Sequence, residues 1–187
     1  MVKKFRSNDG SLTLEACIVV PIFVMLMLLV NGLFVMMMGE QIMSHALVQS
    51  AKSMALDPYA SSRVAAGAEQ KLGEMFVDVF SVKGLSHNYV STEKWYDKEA
   101  GSDVADLAKK RFVAYLRSSE TDADALLDEL GVKNGTAGLD FSGTTYSDGI
   151  LTISVTYTQE YVYNAFDLAS FQRNKTAQVR VFEYKSE

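Results

Sequence analysis

The sequence predicts an α+β fold. A long N-terminal helix begins as a membrane span and continues outward, two or three further helices follow, and a C-terminal three-stranded antiparallel sheet closes the chain. Three observations carry this expectation. The uncharged run Ala16 to Met38 is 23 residues, about 35 Å at the helical rise and enough to cross a hydrocarbon core of about 30 Å. Beyond it, apolar residues recur at helical spacing up to Pro58. From Leu139 onward the apolar period shortens to two, the signature of half-buried strands.

The chain divides into a short leader (residues 1–10), a span (11–39) and one outer domain (40–187) of ordinary domain size. Lys3, Lys4 and Arg6 precede the span, so the excess of short-loop positive charge puts the N-terminus in the cytoplasm and the domain outside. The net charge of −5 hides an asymmetry: after the span there are 15 basic and 21 acidic residues. An acidic domain argues against a nucleic-acid partner, because phosphate binding needs a basic face. The single cysteine, Cys17, lies in the span. The outer domain therefore has no intramolecular disulfide and must be stabilised by packing, which suits a bacterial surface better than a disulfide-stapled secreted domain. The two glycosylation sequons, at Asn134 and Asn174, are of a kind common by chance.

Within the span, Pro21 removes a backbone donor and frees the Cys17 carbonyl, which predicts a bend near the cytoplasmic end. Asn31 is read as a hydrogen bonder between packed helices and Gly32 as a tolerated irregularity. Met25, Met27, Met36, Met37 and Met38 read as lipid-facing filler, since thioether metal ligands would have to converge on one point. A cleaved secretory signal ending near Ser44-His45-Ala46 is the competing reading. The apolar run is longer than the 7–15 residues typical of such signals and Glu40 and Gln41 intervene, so an anchor is preferred.

Met43, Ala46, Leu47, Ser50, Ala51 and Met54 form one stripe, so the span is expected to continue as one stalk to about Leu56, some 46 residues and roughly 70 Å from Ser11. Ser61 or Ser62 caps an expected second helix ending near Gly84, with Val64, Ala65, Ala68, Leu72, Met75, Phe76 and Val79 on one face. Leu85 to Gly101 reads as a loop in which Trp95-Tyr96 packs on the domain, exposure as a contact patch being the alternative. A third helix, Ser102 to Arg117, presents Val104, Ala108, Phe112, Tyr115 and Leu116. A short helix capped at Thr121-Asp122 runs through Leu126, Leu127 and Leu130 to Gly131. Its acids lack the glycine and distal glutamate of a calcium loop and read as a solvated face. A hairpin follows, Leu139 to Gly143 paired with Leu151 to Tyr157 through a turn at Ser147-Asp148-Gly149. After a connection from Asn164 to Asn174, a last strand carries Ala177, Val179 and Val181, and the sheet is expected to pack on the outer half of the stalk.

No nucleophile elbow, phosphate-binding loop, dinucleotide glycine pattern or zinc spacing occurs. His45 and His87 have no nucleophile beside them in sequence, so the expectation is a protein that is not an enzyme and needs no cofactor or metal.

The residue that demands an account is Glu15, a carboxylate at the head of an apolar helix, where a charge is costly and a partner is expected. The plainer reading is a boundary acid in the headgroup layer. Gly10-Ser11-Leu12-Thr13-Leu14-Glu15 followed by the apolar run resembles the class III signal of type IV prepilins. With Ala16 and the Val-Pro at residues 20–21, it resembles especially the TadE-like pseudopilins of tight-adherence (Tad, Flp-pilus) systems. The resemblance covers about residues 7 to 40, with a looser likeness in the strand-rich C-terminus and in the pilin-like order of helix first, sheet last. It implies cleavage between Gly10 and Ser11 by a membrane prepilin peptidase, with Glu15 the fifth residue of the mature chain and assembly with other pseudopilins and an inner-membrane platform. Glycine before the scissile bond leaves a tight site unobstructed and is a natural break before a helix. Cleavage would free a Ser11 α-ammonium that Glu15 of a neighbouring subunit could pair with. Two unit charges about 4 Å apart attract by about 4 kcal/mol at an effective dielectric of 20, before desolvation. Ser11 stands where type IV pilins usually have an aromatic or methionine, and Asp9 where a basic residue is common, which favours the TadE-like branch over a major fibre subunit. The alternative function is an uncleaved, signal-anchored surface protein whose outer domain binds a ligand.

Overall fold

The computed structural model describes residues 8–58, 95–97, 102–117, 119–163 and 170–182. Helix α1 runs without interruption from Asn8 to Ala55, 48 residues, with Pro21 inside it. Its start lies before Gly10, so Gly10 does not break the helix as the sequence suggested. One glycine costs only about 1 kcal/mol in a helix, which the remaining turns of so long a helix outweigh.

Helix α2 spans Ser102–Leu116 and α3 Glu120–Glu129. The cap of α3 is Ser119, whose Oγ accepts the Asp122 N–H at 3.1 Å, two residues earlier than the expected Thr121. Gly131 closes α3 at a φ of 74°, a left-handed conformation that glycine adopts without a Cβ penalty. The expected helix from Ser61 to Gly84 and His87 lie outside the described residues. Trp95–Asp97 form a 3-10 turn, and Trp95 is buried, edge-on to Tyr146 with ring centroids 5.3 Å apart.

The sheet has order β1-β2-β3, all antiparallel, with β1 Thr145–Ser147, β2 Ile150–Glu160 and β3 Ser170–Arg180. Asp148 and Gly149 both have positive φ, 52° and 72°, the geometry of the two-residue hairpin turn that Asp-Gly favours. The first strand is shorter than the alternation from Leu139 implied. Asp140 Oδ1 accepts the Ser142 N–H at 2.9 Å and a turn from Phe141 to Thr144 follows, so the side chain of Asp140 diverts the backbone. Leu139 and Phe141 are buried nonetheless, and single bridges from Asp140 and Val132 continue the first edge along β2.

Leu151, Ile153, Val155 and Tyr157 of β2 are buried on the face that meets the helices, as period-two alternation requires. They join Met43, Ala46, Leu47, Ala51 and Met54 of α1 with Val104, Ala108 and Phe112 of α2 in one core. The upper half of α1 is thus the central rib of the domain.

Candidate functional site

The lower half of α1 has no such cover. From Leu14 to Val30 every large apolar side chain is exposed, Met25 the most at 72%, and the helix is long and apolar enough to cross a membrane. An apolar helix bare on all sides in the isolated chain must find its burial in lipid or in other helices.

Gly10 and Ser11 lie in the first turns of α1 and Glu15 about one turn further on. Glu15 is exposed, and among the described residues it has no ion-pair partner. Among the described residues, therefore, no cation reaches it. Cys17 is exposed on the same bare stretch.

Above this stretch, the ends of β2 and β3 close on α1 as a polar collar that sequence reading did not find. The buried stripe of α1 begins at Gly32 and runs through Met36 and Gly39 before reaching Met43. Gly32 lies under Tyr161, whose hydroxyl donates to the Leu28 and Leu29 carbonyls at 3.0 and 2.8 Å. Asn31 Nδ2 donates to the Tyr163 hydroxyl at 2.6 Å, a bond to the chain's own sheet end. Gly39 lies under Gln159, a buried amide that donates to the carbonyls of Leu130 at 3.0 Å and Met36 at 3.4 Å. Glu40 then takes Arg173 at 3.2 Å and Lys175 at 3.5 Å, both from β3.

This last contact explains why β3 starts four residues before the end of the expected connection. Positions 173 and 175 face inward but carry cations, which hides the alternation, and Glu40 supplies their counter-charge. Tyr157, buried on the same face, has its hydroxyl pushed up to about 12, chiefly by burial, with Glu40 adding to the rise and Arg173 opposing it.

A second polar cluster fixes the top of the rib. Asp57 Oδ2 accepts from Arg111 Nη2 at 2.6 Å and from the Trp95 indole at 2.9 Å, and Arg111 Nη1 donates to Ser53 Oγ at 3.0 Å. Both charged side chains are essentially buried, and such a pair persists when each ion finds its partner and further hydrogen bonds.

Among the described residues no group of three His, Cys, Asp or Glu side chains converges. His45 is exposed on α1 and faces Gln49 at 3.5 Å. Among the acids of α3, Asp124 accepts the Thr136 backbone N–H at 2.7 Å, which holds its carboxyl below the usual range. Compared with protein-family models, curated proteins and solved structures, the chain gives no match.

Proposed function

We propose that this chain is a TadE-like minor pseudopilin or assembly protein of a Tad-type filament system. It is anchored with its N-terminus in the cytoplasm and its domain outside, and is processed between Gly10 and Ser11. It acts by packing rather than by catalysis. Its partners are a prepilin peptidase, other pseudopilins and the inner-membrane platform.

One observation carries this reading. A single helix is bare and apolar in its lower half, is the rib of a packed domain in its upper half, and bears near its free end a carboxylate with no partner among the described residues. An intramembrane acid is expensive without a counter-charge. The Gly10-Ser11 bond offers one, because cutting it creates an α-ammonium that a neighbouring subunit presents when the bare helices bundle.

The competing reading, an uncleaved anchor for a ligand-binding domain, draws on the start of α1 at Asn8. A peptidase acting between Gly10 and Ser11 must unwind that first turn. Helix ends fray readily and Gly10 lowers the cost, so the barrier is small.

Intact mass decides between them. With wild-type and Gly10→Ala chains expressed alongside a Tad-system prepilin peptidase, loss of the first ten residues from the wild type alone supports processing. Equal, full-length masses leave only the anchor reading.

A further inference from the structure

We propose that the lower end of the sheet, Tyr161 to Tyr163, rests in the phospholipid headgroup layer, and that the hydrocarbon ends on α1 at about Asn31 rather than at Met38. The inference rests on reading α1 as a membrane span and fixes where on that span the outer surface lies.

The sheet descends further along the helix than the end of the apolar run would allow. Tyr161 reaches the carbonyls of Leu28 and Leu29, and Tyr163 reaches Asn31. Met38 lies nine residues above Leu29, about 13 Å at the helical rise. Were the hydrocarbon to extend to Met38, it would submerge the turn at residues 161–163, which has left the β2 ladder. Irregular backbone facing lipid has no water to satisfy its N–H and C=O groups, at several kcal/mol each. It would also bring the acyl chains to the charges of Glu40, Arg173 and Lys175.

The composition of the sheet end suits the headgroup layer. Val162 and Tyr163 are 43% and 41% exposed, and Tyr161 and Tyr163 meet edge-on at 6.1 Å. Tyrosines, with an apolar ring and a polar hydroxyl, concentrate at the membrane–water boundary.

The boundary also decides the environment of Glu15. A core of about 30 Å takes about 20 helical residues. Ending at Met38 it would begin at Val19 and leave Glu15 among the headgroups. Ending at Asn31 it begins near Leu12 and draws Glu15 about one turn inside, where the carboxylate needs a counter-charge.

The test uses the full chain with Cys17→Ser, reconstituted at low protein-to-lipid ratio in phosphatidylethanolamine–phosphatidylglycerol vesicles. Nitroxides are placed singly through Val24→Cys, Met38→Cys, Val162→Cys and Phe171→Cys, and depth is read from relaxation by oxygen and by a water-soluble nickel chelate. The proposal expects Val24 deep in hydrocarbon, Val162 at headgroup depth, and Phe171 and Met38 at similar depths above the hydrocarbon, because Phe171 pairs with Gln159, which lies over Gly39. Met38 or Phe171 in the hydrocarbon, or Val162 free of lipid, overturns the boundary while a deep Val24 preserves the span. A water-exposed Val24 removes the span itself and the proposal with it.

Discussion

The ring of Tyr161 covers Gly32 so closely that a Cβ there would lie within contact distance of its Cζ, Cε2 and hydroxyl together. The absence of that carbon lets the hydroxyl reach two helix carbonyls, and so joins the end of the sheet to the head of the buried stripe.

Gly32→Ala is therefore expected to push Tyr161 off the helix and to cost about 1–2 kcal/mol, although alanine is the better helix former. Tyr161→Ala should cost a similar amount, and the double variant little more than either single one. Chemical denaturation in detergent measures this. Independent, additive losses would show that the two residues do not act through each other.

The buried pair at the top of the rib predicts a different pattern. Arg111→Met leaves the Asp57 carboxylate in the core with one of its donors gone, and is expected to destabilise the domain by about 3–5 kcal/mol. Adding Asp57→Leu should recover at least about 2 kcal/mol of that loss, since no buried charge then remains uncompensated. A double variant as unstable as the sum of the singles would contradict this reading.

Tyr157 predicts a dependence on alkaline pH. Its hydroxyl is buried with no hydrogen-bond partner among the described residues, and its ionisation is pushed up to about 12 from an ordinary value of about 10. The folded state thus favours the neutral phenol. That contribution is fully present below about pH 10 and is lost as pH rises through about 12, a decline of order 2 kcal/mol. Tyr157→Phe should match or exceed wild-type stability at neutral pH, because it removes an unpaired polar group, and should fall less steeply between pH 10 and 12. Identical slopes for the two proteins would exclude Tyr157 as the source.

Where side chains repeated with a clean period, the sequence was informative. The stripe from Met43 to Met54, the apolar side of α2 apart from half-buried Tyr115, and the alternation along β2 are buried as their spacing implied. Legibility failed where a polar group serves the interior. Arg173 and Lys175 occupy inward positions of β3, Gln159 continues the apolar series of β2, and Asp57 meets Arg111 across 54 residues of sequence. Each breaks the apolar pattern locally, and only the partner brought in by tertiary structure accounts for it. Gly32 read as slack because the ring that fills its space lies 129 residues further along the chain. Of the candidate site, Glu15 and the bare apolar half of α1 were visible from the sequence, whereas the collar above them was not.

The central claim is that Glu15 finds its counter-charge in the freed amine of a neighbouring subunit. Membranes containing light and isotopically heavy chains, treated with a membrane-permeant carbodiimide, convert such an ion pair into an amide that mass spectrometry can place. The account predicts a heavy–light product joining the Ser11 α-amine to the Glu15 carboxyl, absent from the Gly10→Ala protein. Chains that assemble while Glu15 stays uncrosslinked and Met1 remains the N-terminus would contradict it.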